Sequence, residues 1–188
     1  DSSVSPVTPG EQMTARDLMY GLMLPSGNDA GNALAVICDG SVQAFVDRMN
    51  RKAQELGLSN THFMNPHGYH HPDHYTTARD LARLTAHALQ FPAFMEFVTH
   101  TQWTMQPTAL RPALPLKVSA ELLDPNSPYH YDGAFGIKSG STRAAGYCYV
   151  GCAVRNGRTL LAVVLNDRIR TQAWTDLTRL FNLGFAKM

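Results

Sequence analysis

Gly146-Tyr147-Cys148-Tyr149-Val150-Gly151-Cys152-Ala153-Val154-Arg155-Asn156-Gly157-Arg158-Thr159-Leu160-Leu161-Ala162-Val163-Val164-Leu165-Asn166 decides the fold class. Two runs rich in Val, Tyr and Leu flank Arg155-Asn156-Gly157-Arg158. An Asn-Gly pair between such runs favours a type I′ turn, whose twist matches that of paired strands. Residues 146–154 and 159–166 are therefore expected to pair antiparallel. Residues 135–139 form a third short run of the same kind, and 140–145 leaves room only for a tight connection, so the three read as a meander. Downstream, 171–183 returns to helical spacing through Trp174, Leu177, Leu180 and Phe181, and would cover one face of that sheet.

The first half has a different period. Residues 29–38 are Ala-rich and follow Ser26-Gly27-Asn28, a cap-like start. Residues 41–56 place Val42, Phe45, Val46, Met49, Ala53 and Leu56 on one stripe, with Ser41 as N-cap and Gly57 as the C′ residue. Residues 77–90 repeat the pattern behind Thr76 or Thr77, and Pro92 stops the run. Residues 59–75, rich in Asn, Pro, Gly and His, read as a loop. Helices first, then a sheet with a covering helix, is an α+β order. The expected division is a helical part over about 10–115 and a sheet part over about 130–188, with Pro-rich 107–115 as the crossing between them.

Composition narrows the function classes. The 188 residues carry 16 Lys+Arg against 15 Asp+Glu, a formal net charge of +1, and are 44% hydrophobic. That balance excludes a disordered tail, a collagen-like repeat and a polybasic nucleic-acid binder. The longest strongly apolar stretch, 18–24, falls far short of the roughly 20 residues a spanning helix needs. Residues 1–6 have neither a basic n-region nor an apolar h-region. Cys148 and Cys152, four apart in a strand, are expected roughly 13 Å apart, too far to bridge, and with Cys38 they read as small buried hydrophobes.

Two tripeptides carry candidate chemistry. Ser26-Gly27-Asn28 opens a helix, and Lys138-Ser139-Gly140 ends the first strand of the meander. Alone, each is an ordinary cap or turn sequence; paired, they match two of the three elements of the penicillin-recognising serine enzymes. Around them, Asp17-Leu18-Met19-Tyr20-Gly21-Leu22-Met23-Leu24-Pro25-Ser26-Gly27-Asn28-Asp29-Ala30, then Asn65-Pro66-His67-Gly68, then His74-Tyr75-Thr76-Thr77-Ala78-Arg79-Asp80-Leu81-Ala82, then Gly136-Ile137-Lys138-Ser139-Gly140-Ser141-Thr142 with Ala145-Gly146-Tyr147-Cys148 follow one another. In this order the blocks resemble the low-molecular-mass penicillin-binding proteins, serine D-alanyl-D-alanine carboxypeptidases of the S11 type. The resemblance implies a β-lactamase/DD-peptidase-like fold whose N-terminal strands are missing here, and no cofactor.

Two departures stand out. No Ser-x-x-Lys exists, because the residues three before Lys52, Lys117, Lys138 and Lys187 are Met49, Leu114, Phe135 and Gly184. The resemblance places that nucleophile motif, with the signal peptide and first strands, upstream of Asp1. Ser139 stands where the family usually has Thr, which keeps the hydroxyl but loses the β-branch that fixes its rotamer.

By resemblance, Ser26 passes a proton toward the leaving nitrogen, Asn28 hydrogen-bonds the substrate amide and Lys138 supplies positive potential. Ser139 holds the terminal carboxylate, Gly140 and Thr142 belong to the same substrate-binding strand, and the Ser141 N–H is an oxyanion donor. The implied function is an acyl-enzyme carboxypeptidase acting on D-Ala-D-Ala stem peptides of peptidoglycan outside the cytoplasm, membrane-associated, if at all, through segments outside this chain. Alone, the chain is expected to be inactive and to bind β-lactams only once the upstream segment is restored. Alternatives are a non-catalytic peptidoglycan-binding or scaffold homologue, or a β-lactamase or endopeptidase relative. An exposed strand edge and apolar face are expected to draw in a partner, a second copy or the N-terminal piece. His62, His67, His70, His71 and His74 crowd one loop, yet with no HExxH helix, no Cys pair and only Asp73 as carboxylate, a hydrogen-bonded loop rather than a metal site is expected. Arg168 and Arg170 could reach an anionic substrate but read as surface residues.

Overall fold

A computed structural model describes residues 3–188. The chain forms two compact units that are interleaved in sequence: one takes the residues up to Tyr75 and His100–Ser119, the other Thr76–Thr99 and Ala120–Met188.

In the first unit, α1 (Ala15–Met23) starts where the Thr14 hydroxyl accepts from the Asp17 amide. The helix α2 (Asn28–Asp39) stops at Gly40, whose φ of 76° suits a residue without Cβ. The helix α3 (Val42–Glu55) is capped by Ser41 as expected, its hydroxyl accepting from the Ala44 amide. These helices bury Leu18, Tyr20, Leu24, Ala30, Ala35, Val46 and Ala53. Strands β1 (Gln102–Met105) and β2 (Leu114–Lys117) form an antiparallel pair. The Pro-rich segment read as a crossing is thus the tip and second strand of a hairpin inside this unit. Pro115 lies opposite Thr104 in a two-stranded sheet, where both strands are edges and a missing N–H is tolerated.

The second unit holds α4 (Ala78–Ala88) and α5 (Pro92–Thr99). Pro92 stops α4 and also opens α5, where its missing N–H costs nothing. A 3-10 turn, Glu121–Leu123, precedes β3 (Ala134–Thr142), β4 (Gly146–Arg155) and β5 (Arg158–Asp167), which form the expected meander in the order β3-β4-β5. Its second turn has Asn156 at φ 52° and Gly157 at φ 72°, both left-handed as type I′ demands. The helix α6 (Arg170–Ala186) covers one face: Ala173, Trp174, Leu177 and Phe181 are buried, and the Trp174 ring meets Tyr149 edge-on at 5.0 Å. An added Cβ on Gly151 would lie 3.6 Å from Phe181 and 3.7 Å from Leu177, so the helix sits close on the sheet there. Leu180, counted in the expected stripe, is instead 43% exposed, as is Leu183 at 60%.

The helical and sheet parts therefore do not follow one another along the chain as expected. Helices α4 and α5 join the sheet, with α5 against β3 at Val98 and Gly136. Cys38 corrects the reading of three buried thiols: it is exposed, Cys148 is half-buried and only Cys152 is buried. Burial pushes the Cys152 thiol up to about 12, so it stays protonated and inert. No helix among the described residues is long and apolar enough to cross a membrane.

Candidate functional site

Ser26 and Gly27 lie between α1 and α2, and Asn28 is the first residue of α2. Leu24 closes α1 with its amide on the Tyr20 carbonyl at 2.9 Å, and the Gly27 amide reaches back to the Gly21 carbonyl at 2.9 Å. Between them Ser26 adopts φ 66°, the left-handed region that an L residue enters at a cost of about 1 kcal/mol or more. Gly27, not Ser26, occupies the N-cap position of α2, and no side chain caps it.

The following carboxylate does other work. Asp29 Oδ1 accepts from the Ser5 amide at 2.8 Å, the Ser5 hydroxyl at 3.1 Å and the Ala30 amide at 2.9 Å, while Oδ2 accepts from the Val7 amide at 2.8 Å. Burial alone would raise its pKa, but the donated bonds of Val7, Ser5 and Ala30 outweigh it and hold the carboxyl below its usual range. Ser5 is 0% exposed, and the Asn28 amide donates to the Ser3 carbonyl at 2.9 Å. The space at Gly27 is filled from this side, since an added Cβ would meet Ser5 Oγ at 2.5 Å. Sequence reasoning does not reach Ser5 or Asp29 as site residues; the signal it offers is Gly21 and Gly27, two glycines bracketing Ser26.

Lys138, Ser139, Gly140, Ser141 and Thr142 form the end of β3, in the other unit. Just before them the register with β4 slips between Phe135 and Lys138, and the Gly136 carbonyl accepts from the buried Tyr149 hydroxyl at 3.1 Å. The irregularity re-aims the strand ahead of Lys138. Burial lowers the Lys138 pKa to about 8, and its ammonium donates to the Ser139 carbonyl at 2.6 Å. Ser139 and Ser141 lie opposite Tyr149 and Tyr147. Gly140 is exposed, and an added Cβ there would touch nothing within 4 Å. The Thr142 hydroxyl accepts from the Ala145 amide at 3.1 Å and so closes the turn into β4. Among the described residues, β3 has a strand on one side only.

The histidine loop is hydrogen-bonded. His74 Nδ1 accepts from the Met64 amide at 3.2 Å, His71 Nδ1 from the Asp73 amide at 3.1 Å and His67 Nδ1 from the Tyr69 amide at 3.3 Å. Asn65 binds the Gly68 amide at 2.7 Å and the Tyr69 carbonyl at 2.8 Å. Among the described residues no group of three or more His, Cys, Asp or Glu could hold a metal ion. Arg168 and Arg170 are exposed.

The chain matches the family model described as "D-alanyl-D-alanine carboxypeptidase" (peptidase S11) over residues 1–169. It is 37% identical to the D-alanyl-D-alanine carboxypeptidase of Streptomyces sp. (strain K15), over 94% of this chain and 62% of that one. It is 32% identical to DacF of Bacillus subtilis, over 95% of this chain and 44% of that one. The chain thus spans only about half of the curated relatives it matches. The crystal structure of the Streptomyces K15 DD-transpeptidase superimposes with a TM-score of 0.90 at 34% identity, over 98% of this chain and 72% of that one. Motif order, sequence identity and fold agree, and the chain belongs to the D-alanyl-D-alanine carboxypeptidase family, peptidase S11.

Proposed function

We propose that the chain is part of a serine D-Ala-D-Ala carboxypeptidase acting on peptidoglycan stem peptides outside the cytoplasm. The observation that carries this reading is Ser26 at φ 66°, a non-glycine residue held in a costly conformation inside the family's Ser-x-Asn element. Gly140 adds to it: no steric demand explains a glycine there, whereas an exposed strand edge with no side chain suits the close approach of an extended peptide.

In this reading a serine from an upstream Ser-x-x-Lys attacks the carbonyl of the penultimate D-Ala. Ser26 relays the proton lost by that serine to the departing nitrogen, so the C–N bond breaks and D-Ala leaves as the neutral amine. Asn28 hydrogen-bonds the peptide amide, the Ser141 N–H faces the oxyanion, and the Ser139 hydroxyl with the positive potential of Lys138 receives the terminal carboxylate. Gly140 leaves the strand edge clear for the peptide, and the Thr142 hydroxyl closes the turn into β4. Water then hydrolyses the ester and returns the serine. None of the four lysines completes a Ser-x-x-Lys, so the chain alone forms no acyl-enzyme.

The test is labelling by a fluorescent penicillin. The 188-residue chain should remain unlabelled, and a form extended upstream through a Ser-x-x-Lys should take up label. An extended protein that takes none sinks the assignment. A second reading is a non-catalytic peptidoglycan-binding or scaffold homologue; a natural start codon immediately upstream of Asp1, together with binding of muropeptides, would establish it. The exposed Leu180 and Leu183 on α6, and β5 with a strand on one side only among the described residues, support association with a partner, the N-terminal piece or a second copy. A monomer of the 188 residues that stays monodisperse would count against either partner, and a stable homodimer would identify the second copy.

A further inference from the structure

We infer that Ser5 and Asp29 form a clamp that sets the backbone of Ser26 and Asn28, making Asp29 a positioning residue for the proton relay assigned to Ser26, on which reading the inference rests. An aspartate in the first turn of a helix ordinarily serves the amides of its own helix. Asp29 gives its helix only one of its four bonds, that to Ala30; the other three go to Ser5 and Val7, more than twenty positions upstream. Its carboxylate fastens a passing segment to the turn.

That segment runs along the triplet itself. The Ser3 carbonyl receives the Asn28 amide at one end, and the Ser5 hydroxyl fills the space over the Gly27 α-carbon and over Gly21, where an added Cβ would meet it at 2.9 Å. On the other side the Gly27 amide is held by the Gly21 carbonyl. The two residues after Ser26 are thus both fixed, Gly27 by the Gly21 carbonyl and by packing against Ser5, and Asn28 by the Ser3 carbonyl. A serine at φ 66° persists only where its surroundings over-determine it, and these contacts do so. Proton transfer is sensitive to such placement, since a displacement of about 1 Å can cost about 100-fold in rate.

The oxygens of Asp29 are unequal, and this makes the clamp testable. Oδ1 takes three of the bonds and Oδ2 only that of Val7. Asp29→Asn keeps an acceptor in the Oδ1 position and loses one bond, whereas Asp29→Ala loses all four. In the form carrying the upstream Ser-x-x-Lys, Asp29→Ala should lower penicillin acylation and kcat on an acyl-D-Ala-D-Ala peptide about 10- to 100-fold, with KM little changed. Asp29→Asn should restore most of the rate although its charge is gone, and Arg48→Ala on the surface of α3 should behave as wild type. In the same proteins, amide exchange at Gly27 and Asn28 should speed up in Asp29→Ala while Val46 and Ala53 keep their protection, which shows that the unit is still folded. Unchanged exchange at Gly27 and Asn28 overturns the clamp. Loss of rate in Asp29→Asn equal to that in Asp29→Ala overturns it too, because charge and not bonding would then be at work. Faster exchange with an unchanged kcat overturns the positioning role. An unlabelled wild type, with faster exchange in Asp29→Ala, rejects the relay reading while the clamp stands.

Discussion

The indole N–H of Trp103 donates to Oδ1 of Asp17 at 2.7 Å, joining two residues 86 positions apart. Asp17 is 2% exposed and its other oxygen receives the Thr14 hydroxyl at 2.9 Å, while the Trp103 ring stacks on Tyr20 at 4.2 Å. This bond ties β1 to the N-terminus of α1. Trp103→Phe keeps the stacking and strips one donor from a buried carboxylate, which should cost about 1.5–3 kcal/mol. Urea denaturation with near-UV circular dichroism checks it; a variant within about 0.5 kcal/mol of wild type would show that the bond adds little.

Lys138 provides a titration to follow. Its pKa in the fold, about 8, lies below the ordinary 10.5, so between these values the unfolded chain binds the extra proton and stability rises with pH. Below about 8 both states are charged and the contribution is flat. Lys138→Met should remove the rise between pH 8 and 10.5, read from denaturant midpoints across that range. The Lys138 13Cε resonance should titrate near 8, and a midpoint near 10.5 would contradict the burial seen here.

The histidine loop should loosen in acid. Burial first, then the neighbouring His67, His62 and His71, lower the His74 pKa below 6.5, and burial lowers that of His67. A depressed histidine favours the folded state above 6.5 and loses that contribution as pH falls through its folded value. Protonated Nδ1 no longer accepts from the Met64 amide. The Met64 amide resonance should therefore shift as pH drops from 7 toward 5, and His74→Leu should show a smaller loss of stability over the same span. Equal losses would remove His74 from the account.

Gly27 cannot carry a side chain while Ser5 is in place. Gly27→Ala would put Cβ 2.5 Å from Ser5 Oγ and 2.8 Å from Asp29 Oδ1, and crowding of this kind costs about 1–3 kcal/mol. Ser5→Gly in the same chain removes the first contact and leaves the second. Thermal melting of the two single variants and the double should show part of the loss recovered. Strict additivity would mean that the two positions do not meet.

What could be read from sequence was whatever local chemistry decides. Asn156-Gly157 specifies its turn by itself, and Ser41 with Gly57 brackets α3, so the meander and that helix are legible without any tertiary knowledge. Pro92 is legible as the stop after α4 but not as the opening of α5, and Pro115 is not legible as an edge-strand residue, because proline is both a stop and a permitted first or edge residue and only the partner strand or helix shows which. At the site, the tripeptides named Ser26, Asn28 and Lys138, whereas the left-handed φ of Ser26 and the grip of Asp29 on Ser5 depend on a segment more than twenty residues away. The lowered pKa of Lys138 was equally hidden, since burial belongs to the fold and not to the tripeptide.

The interleaving of the two units bears on how this protein can be cut. The backbone leaves the first unit after Tyr75, contributes α4 and α5 to the second, returns at His100 and departs again after Ser119. No single truncation point yields either unit whole. A deletion series from one end would remove pieces of both, and exchanging a unit with a homologue requires splicing at three junctions. Engineers wishing to graft the β3 edge onto another scaffold would need residues 76–99 supplied alongside 120–188, by circular permutation or as a separate peptide.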